Sequence, residues 1–350
     1  MSSIVSLKFP DPLRSEDEIL ANWKEDITSP LVSVRCITYN HATYIEDAIK
    51  GFLIQETDFP FEVWIHDDAS VDGTREIIER YQKYYPRIIK TILQDVNQYS
   101  KGNKPSQFLN SVCCGEYYAL CEGDDNWTAP DKLAKQVVAM ENHPNIDLCF
   151  HSAVKENMES GQCTVIGQYR IGDGFVPAEH IIERAFGQIP TASTLVRSSV
   201  YEDMNNFKEK AKKLIVGDIY LHIMGAKRGS AYFLDSTMSH YRYLVPGSYS
   251  LRIKEIDGNQ AIEKAKISIN AYKIANEMTE KKYELSFKKR ITITVKKAVK
   301  SYANFTARSV LLINNARYLT PKDVFLCCLL AAIPRKLFFV MRDLKKRNIN

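Results

Sequence analysis

From residue 31 to residue 150, short apolar runs of strand length alternate with stretches whose apolar positions recur every three or four residues. Residues 31–39 are β-rich and lead into an Asn40-His41 turn, after which a helical stretch runs from about Tyr44 to Leu53. Glu62-Val63-Trp64-Ile65-His66 reads as a second strand, and Ile77, Ile78 and Tyr81 mark one face of a helix from Thr74 to about Tyr84. The pattern predicts further strands over 88–93, 117–121 and 146–150, a short helix over 108–113, and a helix over 130–142 with Pro130 near its first turn. Ahead of these, Ser15-Glu16-Asp17-Glu18 has capping-box spacing and predicts a short helix through Trp23. Strand–helix alternation at this spacing is the signature of an α/β fold with a mostly parallel, helix-covered sheet.

Beyond residue 150 the rhythm loosens. A helix is expected near 178–186 and a buried strand of small residues over 191–196. Gly217-Asp218 introduces a helix over 219–225, and strand-like pieces at 231–234 and 238–243 precede a Gly/Ser loop at 246–250. From about residue 257 the chain reads as long helices, and Thr320-Pro321-Lys322-Asp323 combines an N-cap, a first-turn Pro and an early acid. The expected organisation is therefore a lead-in helix over 1–30, a catalytic body over 31–255, and a helical region over 256–350.

Bulk composition changes little: 45% hydrophobic and 25% charged residues in 350 are ordinary globular values. Charge distribution changes more. The net charge of +5 divides into 17 Lys and Arg against three acids over 281–350, and 30 against 39 over 1–280. A basic tail on an acidic body implies an anionic partner for the tail. The apolar run 324–333 is shorter than the roughly 20 residues needed to span a bilayer, and Pro334-Arg335-Lys336 interrupts it. The expectation is burial at an anionic membrane surface rather than spanning. Nucleic acid is not expected, because no recognisable module accompanies the charge. The eight cysteines contain no Cys-x-x-Cys pair, which favours a reducing compartment. No secretory pattern is visible at the N-terminus, so a cytoplasmic location is expected, peripheral on the inner face of the plasma membrane.

Candidate chemistry lies at two strand ends. Asp67-Asp68 closes the second predicted strand, and Glu122-Gly123-Asp124-Asp125 follows the fourth. Carboxylates at this density repel, and a hard divalent cation is the natural counter-charge. Both clusters fall at carboxyl ends of strands, where open α/β sheets bind ligands. His41, His66, His151, His222 and His240 have no metal-ligand spacing along any one helix, and most of them are expected to be packed or surface residues.

Several motifs in order then point to a family. The segment 32–41 resembles the opening strand of family-2 glycosyltransferases of the GT-A fold, and residues 66–74 are similar to their D-D-x-S-x-D-G-T segment. Gly115-Glu116-Tyr117 followed by Glu122-Gly123-Asp124-Asp125-Asn126-Trp127 resembles their G-x-Y-x-x-x-x-D-x-D-D segment in its E-G-D-D-x-W form. Thr191 to Arg197, Gly217-Asp218 and Tyr241-Arg242 resemble the later motifs, so the likeness covers about 31–250. The resemblance implies a nucleotide-sugar donor (a UDP-sugar above all), Mn2+ or Mg2+, and inversion at the anomeric carbon. It implies a glycan or lipid-linked acceptor in cell-surface polysaccharide synthesis. By position, Thr38, Tyr39 and Asn40 would rim the nucleotide pocket, and Asp67 or Asp68 would accept from base or ribose. Asp124 would hold the metal, with Glu122 or Asp125 assisting. Trp127 would pack beside sugar or acceptor, or anchor its loop. Arg242 would pair with the diphosphate, or with the acidic cluster. Asp218 would be the catalytic base or a helix cap. Asp72-Gly73-Thr74 reads as a turn and cap. Glu122 departs from the family's commoner Asp, which leaves its direct ligation open.

Two other readings bear on the same residues. Ser70-Val71-Asp72-Gly73-Thr74 echoes the D-x-D-G-T of haloacid dehalogenase-type phosphatases, but Ser70 stands where the nucleophilic Asp belongs. A degenerate, non-catalytic transferase domain acting as a membrane-associated binding module is the alternative from another class; the retention of Asp124, Asp125 and Asp218 counts against it.

Overall fold

The structure is a computed structural model that describes residues 9–24, 29–169, 172–254, 256–300 and 305–332. It comprises two compact units, one of residues 1–204 and 221–251, the other of 205–220 and 252–350. The sequence pattern places 31–255 in one body; in the structure the helical unit also takes 205–220, because Phe207 and Tyr220 pack on one another, and Tyr220 packs on Tyr272.

The first unit holds ten strands: β1 (Val32–Thr38), β2 (Phe61–Asp67), β3 (Ile89–Leu93), β4 (Tyr117–Leu120), β5 (Asn126–Trp127), β6 (Leu148–Asn157), β7 (Cys163–Ile166), β8 (Gly174–Pro177), β9 (Leu195–Arg197) and β10 (Ser230–Tyr243). They form one sheet in the order β3-β2-β1-β4-β9-β6-β10-β5, with β7 against β6 and β8 against β10. The β3-β2-β1-β4 half is parallel. Beyond β4 the sheet is mixed, since β9 runs antiparallel to both β4 and β6 while β6 and β10 are parallel. The expectation of a mostly parallel sheet thus holds for the first half alone.

Helix Lys132–Asn142 packs on β6 and β10, while the parallel half is covered by helices Ile45–Leu53 and Thr74–Tyr84. Val32, Val34, Cys36, Val63 and Ile65 are buried on its strands, against Ile45, Ile49 and Phe52. The expected short helix over 108–113 is instead a 3₁₀ segment, Pro105–Ser111. The expected strand of small residues begins as a 3₁₀ turn, Thr191–Ser193, before β9. The pieces at 231–234 and 238–243 are one strand, β10, with register irregularities around Thr237. Ser15 and Glu18 make the capping box of helix Glu16–Leu20.

The second unit is built on helices Gly258–Met278 and Glu284–Val299, followed by Phe305–Asn315 and Pro321–Ala332. Phe287, Ile291, Val295 and Val299 recur every fourth residue and are buried, as one helix face requires. Thr320 caps Pro321–Ala332, its hydroxyl accepting from Asp323 N at 3.1 Å. No helix among the described residues is long and apolar enough to cross a membrane. The Pro334-Arg335-Lys336 break and the basic terminus lie outside the described residues.

Phe52 is fully buried and meets Trp127 edge-on at 4.9 Å between centroids. Phe52→Ala is expected to destabilise the first unit by about 3–5 kcal/mol, read as a lower urea midpoint of its unfolding transition.

Candidate active site

Parallel pairing of β1 with β2 and β4 brings three strand ends to one edge of the sheet. Thr38 ends β1 opposite Asp67 at the end of β2. The loop Glu122-Gly123-Asp124-Asp125 leaves β4 beside them, with Gly123 N donating to Ile37 O at 2.9 Å. Gly123 lies so close to Thr38 that a Cβ there would stand 2.5 Å from the Thr38 hydroxyl oxygen. The glycine is therefore required: any side chain would push the acidic loop off the sheet edge.

The lip of β1 is knitted to the loop after β2. Asn40 adopts φ 54°, a conformation Asn tolerates better than most residues. Its amide N–H donates to Ser70 Oγ at 2.8 Å and its side-chain oxygen accepts from Val71 N at 3.0 Å. Asp72 accepts from Ala42 N, Thr74 N and the Thr74 hydroxyl, the turn-and-cap work expected of it. Tyr39, 45% exposed, is left facing solvent at the rim. Asp67 is buried, accepts from the Ser70 N–H and hydroxyl, and has Arg75 Nε 3.7 Å away. Asp68 spends its two oxygens on Gln98 N at 2.7 Å and Tyr99 N at 3.1 Å. Both carboxylates keep lone pairs for a ligand, but each already holds a loop in place.

The three acids of the 122–125 loop have different surroundings. Glu122 is exposed, Asp124 is partly buried and Asp125 is buried. Burial, then the charges of Asp124 and Glu122, push the Asp125 carboxyl well above the usual carboxylate range. Its Oδ1 accepts from Arg242 N at 2.9 Å. The Arg242 guanidinium donates to Asp124 O at 3.0 Å and to Asp47 Oδ2 at 2.5 Å, and lies 5.1 Å from the centre of the Tyr44 ring. Arg242 is thus bonded to the acidic loop through the Asp125 carboxylate and the Asp124 carbonyl, and to Asp47 besides.

Trp127 is a correction. It is fully buried, its indole N–H donates to Ala192 O at 2.8 Å, and Phe52 and Lys132 cover its ring. It anchors the loop and has no surface to offer a sugar. Asp218 belongs to the second unit, where it opens helix Asp218–Ala226 and accepts from Ile219 N at 2.8 Å. The carboxylates at the sheet edge all belong to the first unit.

Sequence reasoning missed His41. Its Nδ1 lies 3.2 Å from the Thr38 hydroxyl and its Nε2 3.9 Å from Asp124 Oδ2. The available signal was Asn40, whose left-handed turn swings the next residue back over the strand end. Lys132 was missed too: it is fully buried with Nζ 3.9 Å over the Trp127 ring and 2.7 Å from Gln136 Oε1.

No group of three His, Cys, Asp or Glu among the described residues is arranged as a ready metal cage. A catalytic Mg2+ or Mn2+ does not need one, because such ions are held by one or two carboxylates together with substrate phosphates. The donor set fits that pattern: the carboxylates of Glu122, Asp124 and Asp125 offer hard, like-charged oxygen ligands within four residues of one loop.

Residues 33–200 match the model of Glycosyl transferase family 2. That segment is a family-2 glycosyltransferase domain, and the fold is GT-A. An uncharacterized protein of Mycobacterium tuberculosis is 34% identical over 214 residues, 60% of this chain and 58% of its own length. Bacillus subtilis TuaG, described as a putative teichuronic acid biosynthesis glycosyltransferase, is 37% identical over 122 residues, 35% of this chain and 44% of its own. The chain thus spans less than two thirds of these relatives. Among solved structures, S. aureus TarS 1-349 in complex with UDP-GlcNAc is similar in fold, with a TM-score of 0.55 and 15% identity over 86% of this chain and 90% of that one.

Burial pushes the Lys132 ammonium down to about 7. In the unfolded chain a lysine holds its proton to about 10.4, so between those values the unfolded state binds more protons and stability rises with pH. Relative to Lys132→Met, the wild type should gain stability between pH 7 and pH 9, by at most about 1.4 kcal/mol per pH unit. Urea midpoints of both proteins at the two pH values measure it, and an unchanged difference contradicts it.

Proposed function

We propose that the chain transfers a sugar from a nucleotide-sugar donor to a hydroxyl acceptor in cell-surface glycan synthesis. The observation that carries this reading is the convergence of Thr38, Asp67 and the Glu122–Asp125 loop at one sheet edge of a family-2 domain. Tyr39 and Asn40 form the rim of the nucleotide pocket, and Asp67 and Asp68 accept from base or ribose while bracing the loops beside them. A UDP-sugar is the expected donor, a reading supported by the UDP-GlcNAc complex of the similar TarS fold. TuaG supports a cell-surface product.

Asp124 is the proposed ligand for Mn2+ or Mg2+, with Glu122 and Asp125 as companions. The metal, when bound, neutralises charge on the departing nucleoside diphosphate, an effect worth several kcal/mol. His41 fixes the Asp124 side of the site against Thr38. Arg242 holds the acidic loop in register with β10. Asp218 is the proposed base: it takes the proton of the acceptor hydroxyl as that oxygen bonds to the anomeric carbon. The bond to the diphosphate breaks with its electron pair leaving on the diphosphate, and the displacement inverts the centre.

The helical unit supports contact with an anionic membrane surface. Leu285 is exposed on a helix that carries four lysines, and Ile313 and Phe325 are exposed on the helices that follow it, a pairing of apolar and basic surface that interfacial binding uses. This reading puts the protein on the cytoplasmic face of the plasma membrane with a lipid-linked or polymeric glycan acceptor.

Asp124→Asn is expected to lower metal-stimulated hydrolysis or transfer from a UDP-sugar by about 100-fold or more, the equivalent of roughly 3 kcal/mol; full activity would remove the metal assignment. Asp218→Asn should cost about 10²–10⁴-fold in transfer, and an equally active variant would remove the base assignment. Deleting residues from 320 onward should weaken co-sedimentation with phosphatidylglycerol vesicles by about tenfold or more; unchanged partitioning would contradict the membrane reading.

A further inference from the structure

A cavity of about 380 Å³ lies on the mixed half of the sheet, lined by Lys155, Gln168, Phe186, Gln188, Tyr241 and Tyr243 among others. Its size is that of a small-molecule site. The floor is set by strand register: Tyr241 pairs with Lys155 across β10 and β6, and Tyr243 follows two residues on, on the same face. The Tyr241 and Tyr243 rings are 6.3 Å apart and tilted by 54°, and Lys155 Nζ stands 3.6 Å over the Tyr243 ring. Phe186 makes a wall, its ring seated against the buried Tyr169 at 4.6 Å.

The two glutamines arrive on loops that are pressed together. Gly167 has φ 70°, and a Cβ there would stand 2.7 Å from Pro190 Cδ, so the 166–168 and 186–190 segments approach as closely as a glycine permits. Gln168 and Gln188 are exposed, and neither side-chain amide has a hydrogen-bond partner among the described residues. Each presents two donors and an acceptor.

The cavity's charge is of one sign. No Asp or Glu lines it, and among the described residues Lys155 has no carboxylate partner. Glu156, next in sequence, points to the other face, where it pairs with His240 at 3.0 Å. The cavity also adjoins the acidic loop. Arg242, the neighbour of Tyr241, donates its backbone N–H to Asp125. After burial, the charges of Asp125 and Glu122 are the main influences raising the Tyr241 phenol.

We propose that this cavity is the acceptor subsite and that it takes a saccharide bearing an anionic substituent, a carboxylate or a phosphate, beside Lys155. The apolar faces of the sugar rings lie on Tyr241, Tyr243 and Phe186. Gln168 and Gln188 take the hydroxyls. The assignment rests on the transferase reading for its name, but the preference for an anionic sugar is a property of the cavity alone.

NMR titration of the full chain with methyl glucuronoside, glucose 6-phosphate and methyl glucoside tests it. At least one anionic sugar should bind about tenfold more tightly than the neutral one, the size of one charge-assisted contact. Which of the two binds better separates carboxylate from phosphate. Lys155→Ala should abolish the preference, and Lys155→Arg, which keeps the charge, should restore it. Equal binding of charged and neutral sugars in the wild type, or a preference that survives in a folded Lys155→Ala protein, overturns the proposal. Loss of the transferase reading has a separate signature: UDP with Mn2+ fails to bind the wild type while the anionic-sugar preference stands.

Discussion

Like charges gathered at one strand end are the constraint around which the rest of the site is arranged. Glu122, Asp124 and Asp125 follow β4 with a single glycine between the first two, and the fold holds them at the sheet edge instead of letting them splay into solvent. Gly123 makes this possible by pressing against Thr38 where no side chain would fit. Arg242 supplies the opposing hold, with its backbone N–H on Asp125 and its guanidinium on the Asp124 carbonyl and on Asp47. Trp127, buried two residues after Asp125, pins the exit of the loop to Ala192 and Phe52. Burial, and after it the repulsion left partly unrelieved, raises the Asp125 carboxyl well above the usual carboxylate range. A site so built gains from any cation brought to it, and a metal-bound nucleoside diphosphate brings one.

The mixed half of the sheet turns this edge into a two-sided site. β10 passes the acidic loop at Arg242 and places Tyr241 and Tyr243 toward the cavity beyond, while β6 contributes Lys155 in register. One strand therefore supports the acidic loop and the floor of the neighbouring cavity. A change in β10 register would move both at once, and the irregularities around Thr237 fix where that register begins.

Much of this was legible in the residues. Helix Thr74–Tyr84 follows from its apolar spacing, and helix Glu16–Leu20 from its capping box. The placing of both acidic clusters at carboxyl ends of parallel strands followed from strand order alone. What the pattern does not carry is direction and partner. A three-residue strand such as β9 has no periodicity to reveal that it runs antiparallel, so the sheet reads as more parallel than it is. Trp127 beside acids reads equally as a ligand platform or an anchor until its burial is known. His41 has no motif spacing; only the left-handed turn at Asn40 returns it to Thr38 and Asp124. The packing of Phe207 on Tyr220, and of Tyr220 on Tyr272, depends on contacts distant in sequence, which periodicity does not carry.

The central claim is that the carboxylate edge binds a nucleotide through a divalent cation. Calorimetric titration of UDP into the full chain, with Mn2+ and then with excess chelator, tests it most directly. The account predicts binding with Mn2+ that falls by about tenfold or more once the metal is removed; equal affinity in the two conditions, or no binding in either, would contradict it.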